Sequence, residues 1–403
     1  MIGPNASRRE TCYSIGDLIP FPIADFGLQI AAHGVTMSDN GNDNAELPIG
    51  FGMTSSPRER ESPVRTARPR PPARTLARDV LLALYPLALV MLTLTALLDP
   101  PRVGAAALAQ VLVHFLFLPA LLLVPLALLG GMVLLRFALA AAAATFLLVY
   151  PPALNLAVPA TAGSAELSVL SWNIYVGGVS PEQLRAALAE YQPDVVMLQE
   201  ARWRMFADDA ELAASYPYQL LRPEEAAPGM VILSRFPILE SGVPSLDSDH
   251  WDMPRMLWAR LDLGDRTVTV VNAHPIAPRI GGAGCRLAAC YNTGWRDRQI
   301  SDVRAVIDAL RRPAEPLIVA GDMNVTEREP AYRELARGMQ DAHRVAGRGF
   351  GASWRPGFVE APFGLIRIDY IFTNEQARPV ALHTDCANRG SDHCLLVGRI
   401  GLG

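Results

Sequence analysis

Between residues 80 and 150 apolar residues run almost without a break, and the few polar ones divide the run into three. The first stretch, residues 80–98, carries no charge and ends at Asp99-Pro100-Pro101-Arg102. The second, residues 103–129, ends at Gly130-Gly131, and the third, residues 132–150, is interrupted only by Arg136. At about 1.5 Å per residue, each is long enough to cross a hydrocarbon layer of roughly 30 Å. Three transmembrane helices over 79–150 are therefore expected, with the lipid bilayer as a partner. His114, in the second stretch, is expected to be a helix-packing group, and Arg136 to reach the interface.

From residue 166 onward the periodicity changes. Short apolar runs alternate with polar turns, and amphipathic segments at 181–191 and 298–310 lie between them. This predicts an α/β or α+β sandwich of about 240 residues. Residues 151–165, rich in Pro, Ala and Gly, read as its linker. Residues 1–78 show no sustained period and read as a disordered tail, with Met37 and Met53 as alternative translation starts.

Composition sharpens this division. A hydrophobic share of 50% and a mean hydropathy of +0.19 are high for a soluble chain, and the excess is concentrated in 79–150. The net charge of −4 arises beyond residue 150, where 25 Arg face 30 acids. A basic domain built to grip a nucleic-acid backbone is not indicated. Seven Arg between 57 and 78 place the N-terminus in the cytoplasm, and three crossings put the 166–403 domain outside the cytoplasmic membrane of a bacterium. Four of the five Cys fall in that outer region, which suggests disulfides, with Cys285 and Cys290 as the expected local pair.

Nearly every expected strand of the domain carries a polar residue at one end. The apolar run 316–321 ends in Asp322-Met323-Asn324, residues 167–172 lead to Asn173, and residues 195–199 lead to Glu200. Residues 268–273 lead to His274, Asp369 lies within the run 368–372, and Asp392-His393 precede the run 394–400. Four carboxylates, two Asn and two His without a thiolate suit Mg²⁺, Mn²⁺ or Ca²⁺ better than zinc. Such an ion polarises a phosphoryl oxygen, so the inventory points to metal-assisted phosphoester hydrolysis. Arg255, Arg298 and Trp354 are candidates for substrate contact, as is Trp251, and residues 275–296 for a disulfide-pinned flap.

As an ordered set, the motifs SWN, LQE, NAHP, GDMN, RIDYIF and SDH resemble the endonuclease/exonuclease/phosphatase superfamily over about residues 166–401. The resemblance implies a four-layer, two-sheet sandwich and a divalent-metal-dependent phosphoric ester hydrolase. It implies that Asn173, Glu200 and Asp392 form the metal side. Asp322 would orient or deprotonate the attacking water, Asn324 would hold a phosphate oxygen, and His274 would assist the phosphate or leaving group. His393, held in its tautomer by Asp369, would contact the scissile phosphate. Tyr175 stands where abasic-site endonucleases carry an acid, which argues against DNA repair. The expected substrate is a phosphodiester of nucleic acid or of a phospholipid headgroup; the alternative is a catalytically inert binding module that keeps the fold.

Overall fold

The computed structural model describes residues 73–155, 165–206, 209–222, 229–246, 255–280, 287–357 and 361–403. Two six-stranded mixed sheets form the domain. One runs in the order Gln340–Asp341, Asp369–Thr373, Leu317–Asp322, Thr267–Ala273, Met256–Asp262, Ile238–Gly242. The other runs Ala377–Asp385, Leu395–Leu402, Ala165–Asn173, Val195–Ala201, Gly229–Ser234, Tyr218–Leu221. The two-residue period of a strand explains the layers. Leu167, Val169, Val195 and Met197 face Val268, Val270, Ile318 and Ala320 in the core between the sheets. The alternate residues face outward: Leu170, Trp172 and Val196 pack beneath the helix Pro181–Tyr191, through Leu184 and Leu188. Val271, Val319 and Phe372 do the same beneath Gly294–Leu310, through Ile300, Val303 and Ile307. The expected four-layer sandwich is therefore present.

Each sheet holds one parallel pair, Ala165–Asn173 with Val195–Ala201 and Thr267–Ala273 with Leu317–Asp322. A parallel pair needs a crossover, and the two long helices supply it. Pro181–Tyr191 starts where its sequence says it should: Ser180 Oγ accepts from Gln183 N at 3.2 Å while Gln183 Oε1 accepts from Ser180 N at 2.8 Å, and Pro181 opens the first turn. The parallel arrangement brings Asn173, Glu200, His274 and Asp322 to one edge of the two sheets. Asp369 lies opposite Asp322 on the antiparallel neighbour, at that same edge.

The apolar N-terminal region differs from three uninterrupted spans. Ala73–Leu98 is one helix of 26 residues, long and apolar enough to cross a membrane. The second stretch is broken into Gly104–Val111, Val113–Leu116, Leu118–Leu121 and Val124–Leu129, with a bend of 83° between its first two parts. Pro119 and Pro125 sit at the starts of the last two pieces, where each removes a backbone donor from any continuous helix. The third, Val133–Val149, is a helix of 17 residues. The first and third run in the same direction. Asp79, near the start of one, accepts from Leu134 N and Leu135 N at the start of the other, at 3.0 and 2.8 Å. Tyr150 OH, just past the end of the third, lies 3.4 Å from Thr93 Oγ1 near the end of the first. Arg136 donates to Ala127 O and Leu128 O and so satisfies two helix-end carbonyls.

This region is docked on the domain. Gln110 Nε2 donates to Arg328 O at 2.6 Å, His114 Nε2 lies 3.1 Å from Leu365 O, and Gly104 N donates to Tyr291 O at 2.7 Å. Ala107 and Val111 are buried against Tyr291, Ile366 and Ile368, with Trp354 at the margin. The expected linker is also attached over residues 151–155: Ala153–Leu154 pairs with Arg348–Gly349, and Asn155 Nδ2 donates to three carbonyls of 343–347. The rest of it, residues 156–164, lies outside the described residues, as does the tail before residue 73.

The disulfides expected of the outer region are present among the described residues. Cys386 and Cys394 form a disulfide beside the site. Cys290 is also disulfide-bonded, and its expected partner Cys285 lies outside the described residues, with Trp251 and the tip of the expected flap.

Candidate active site

The edge described above gathers seven of the expected residues around Asp322. Its strand can end there because Gly321 has no side chain: a Cβ at this position would sit 2.0 Å from Ala273 O, and its φ of 141° is one that L residues rarely adopt. Asn173 Nδ2 donates to Asp322 Oδ2 and to Glu200 Oε1, both at 3.1 Å. Glu200 reaches that point through an irregularity in the ladder between Leu198 and Ala201, with its own φ at +55°. Tyr175 and Asn324 also adopt positive φ, at 45° and 51°. Such backbone costs about 1–3 kcal/mol per residue and is held by the surrounding structure, a property of functional sites.

Two imidazoles flank Asp322. His274 Nε2 lies 3.5 Å from Asp322 Oδ2 and 3.7 Å from Glu200 Oε1. His393 Nε2 lies 3.7 Å from Asp322 Oδ2, while its Nδ1 donates to Asp369 at 3.0 Å. Ser353 fixes Asp369 in turn: its hydroxyl donates to Asp369 Oδ2 at 2.6 Å and accepts from Asp369 N at 3.0 Å. The electrostatics follow from burial and pairing. Burial opposes the charge of Asp322, but His393 and the hydrogen bond from His274 outweigh it and hold the carboxyl below its usual range. Burial likewise opposes the charge of His393, yet Asp369 and Asp322 push its pKa up to about 10, so the imidazolium is the neutral-pH form. Burial raises Asp369 to about 6 against the pull of His393.

Asp392 completes the site from the neighbouring sheet. Trp354 Nε1 donates to its Oδ2 at 3.0 Å, whereas its Oδ1 is buried with no hydrogen-bond partner among the described residues. Burial pushes its pKa up, His393 and the Trp354 hydrogen bond oppose that push, and Glu200 adds to it. Oδ1 lies 4.0 Å from His393 Nε2, and a buried carboxylate oxygen that accepts no hydrogen bond among the described residues is a place a cation fits. Glu200, Asp392 and the Asn173 amide therefore offer the hard oxygen set that a divalent ion takes. Asp322, Asp369 and His393 come closer together, with ligand atoms within 4.8 Å of one another, but His393 and Asp369 already satisfy each other through Nδ1.

Some expectations change in detail. The Asn324 amide is committed to Pro275 O at 3.0 Å and Asp322 Oδ2 at 3.3 Å, so it orients the carboxylate. Trp354 holds Asp392 and packs toward the 104–111 helix instead of forming an aromatic rim. Arg298 faces solvent on its helix, and the buried arginine there is Arg296, which donates to Asn324 O at 2.9 Å and pairs with Glu329 at 2.7 Å. Arg255 is half-buried, and its carbonyl accepts from His274 N at 2.8 Å. Residue reasoning missed the bolt between the sheets: Gln199 Nε2 donates to Asn272 Oδ1 at 2.7 Å, and Asn272 Nδ2 reaches Leu198 O and Val231 O. The signal was available, since Gln199 shares strand parity with Val195 and Met197, and Asn272 with Val268 and Val270.

Comparison with known proteins agrees with this geometry. No curated protein sequence matches the chain. Among solved structures, an endonuclease/exonuclease/phosphatase from Beutenbergia cavernae is 22% identical, with 59% of this chain and 72% of that chain covered at a TM-score of 0.44. D. rerio TDP2, complexed with single-strand DNA product, is 20% identical over 59% of this chain and 99% of its own, at 0.46. The beta toxin of Staphylococcus aureus, with bound magnesium ions, is 17% identical over 59% and 100%, at 0.42. The profile of the Endonuclease/Exonuclease/phosphatase family matches residues 170–393, more than half of the chain and a span that takes in every residue of the site from Asn173 to His393, and the chain belongs to that family.

Proposed function

We propose that the chain is a membrane-held, divalent-metal-dependent phosphodiesterase whose domain lies outside the cytoplasmic membrane. The observation that carries the reaction is the convergence of the His393–Asp369 pair, His274 and Asn173 on one buried carboxylate, Asp322, beside Asp392, whose Oδ1 accepts no hydrogen bond among the described residues. A divalent ion held by Glu200 and Asp392 with Asn173 would neutralise a phosphate oxygen and stabilise a leaving oxyanion. Asp322, ionised at neutral pH, accepts the proton of the attacking water. Asn173, Asn324 and His274 fix the direction in which it does so. The His393 imidazolium, its Nδ1 committed to Asp369, presents Nε2–H to a phosphoryl oxygen, where negative charge grows as the bond to water forms.

The membrane reading rests on the leucines. Exposed large apolar side chains lie almost entirely between residues 76 and 148, with Leu98 and Leu129 at 87% and 89% exposure. Buried in lipid, that surface loses its cost. Since the first and third helices run in the same direction, the chain enters and leaves this region at opposite ends, which favours three passes with the middle one bent. The Arg-rich flank then keeps the N-terminus in the cytoplasm.

A phospholipid or headgroup diester is favoured over nucleic acid. The 104–115 segment packs against Trp354 and Ile366, beside Asp392, which keeps the reacting centre near the bilayer. The full chain in detergent, assayed with Mg²⁺ or Mn²⁺ on phospholipid micelles, single- and double-stranded DNA and RNA, tests this. Faster turnover of phospholipid than of either nucleic acid is expected. A preference for strands would overturn the lipid assignment. Absence of both turnover and ion binding would favour the inert module.

A further inference from the structure

A cavity of about 390 Å³ opens beside the reacting centre. Tyr175, Arg355, Asn388, Gly390, Ser391 and Asp392 line it, so it shares the Asp392 wall with the site. Arg355 is the unusual member. It is 4% exposed, yet the side-chain contact of its guanidinium among the described residues is Cys394 Sγ at 3.8 Å. That sulfur belongs to a disulfide and is a weak acceptor without charge. The other deeply buried arginines behave differently. Arg296 pairs with Asp297 and Glu329, Arg304 with Asp308, and Arg367 with Glu327 and Asp341.

A guanidinium cannot shed its proton to relieve burial, so an Arg with no carboxylate partner among the described residues is costly unless an anion arrives. Its backbone is fixed, since Arg355 N donates to Asp392 O at 3.1 Å, and the Cys386–Cys394 bridge ties down the strand end beside it. The fork is therefore held one wall away from the carboxylate assigned to the metal side. A planar fork of this kind matches a phosphate. An anion here would share the Asp392 wall with the reacting centre.

We propose that the Arg355 cavity is a subsite for a second phosphate, so that the headgroup cleaved here carries one phosphate at the reacting centre and another on Arg355. This rests on the phosphodiesterase reading above, and the headgroup source follows from the docking of the 104–115 segment on Trp354, the residue before Arg355.

The test uses the full chain in detergent with three substrates: phosphatidylglycerol, which has one phosphate, cardiolipin, which has two joined by glycerol, and a single-stranded oligonucleotide. The wild type is expected to prefer cardiolipin. Arg355→Gln should lower the cardiolipin-to-phosphatidylglycerol ratio of kcat/KM by about tenfold or more, and Arg355→Lys should restore part of it. An unchanged ratio in Arg355→Gln, with its Tm preserved, would overturn the subsite. Dependence on Arg355 for the oligonucleotide alone would overturn the headgroup assignment. If the wild type turns over none of the three, the hydrolase reading fails. The subsite then stands or falls by calorimetry with inorganic phosphate in EDTA: binding weakened about tenfold in Arg355→Gln supports it, and equal affinity rejects it.

Discussion

Asp322 shows how much a single side chain depends on its neighbours. Fully buried, it stays ionised because two imidazoles and an amide face it, and the strand that carries it ends against Ala273 with no room for a Cβ. Gly321→Ala should therefore cost several kcal/mol through the clash with Ala273 O and the strained φ, a loss that chemical denaturation would measure. His393→Ala removes the cation beside Asp322 and should lower kcat by about 10²–10⁴-fold, with near-normal binding of the ion as the check that the site remains formed. Asn173, Glu200, His274, Asp322, Asp369, Asp392 and His393 were legible because each sits at the end of an apolar run, where a strand must stop. Ser353 was not, since nothing in Ser353-Trp354-Arg355 tells a hydroxyl that braces Asp369 from one that faces solvent.

At the scale of elements, the two parallel strand pairs explain why the motifs meet: each crossover helix returns the chain to the same edge. Alternation and strand-end signals were enough to read the sheets, but the break in the second apolar stretch was not read, because hydropathy alone ignores the donors lost at Pro119 and Pro125. Docking of that stretch on Trp354 was equally invisible, being a contact between segments about 250 residues apart. Trp354→Phe keeps the apolar packing and deletes the N–H that holds Asp392. Calorimetry should find Mn²⁺ affinity lowered by about 10–100-fold, with little change in Tm. Away from the site, Asp341 joins a helix to a sheet. It accepts from His343 N, from Tyr332 OH and from both terminal nitrogens of Arg367. Burial opposes its charge, but Arg367 dominates and holds its pKa below the usual range. A depressed carboxyl pKa gives stability that is present above its unfolded value and lost as pH falls through the folded one. Asp341→Asn should thus cost about 3–5 kcal/mol at neutral pH, and its deficit relative to the wild type should shrink under acid.

The whole molecule joins an apolar, leucine-covered helical region to an acidic domain through a packed interface, and Asn155, near the start of the linker, adds a second attachment at 343–347. The orientation proposed above puts the Cys386–Cys394 bridge in an oxidising compartment, where such bonds persist. A reporter fused after Gly403 should be active only if it works outside the cytoplasm; activity of a strictly cytoplasmic reporter would reverse the orientation. Composition made the two-part organisation plain, yet it could not show that the first part rests on the rim of the site, since charge and hydropathy carry no geometry. The most direct measurement is hydrolysis of bis(4-nitrophenyl) phosphate by the full chain, with Mg²⁺, with Mn²⁺ and with EDTA, in the wild type and in Asp322→Ala. The account predicts turnover that needs the ion and disappears in the variant. Turnover that persists in EDTA or in Asp322→Ala would contradict it.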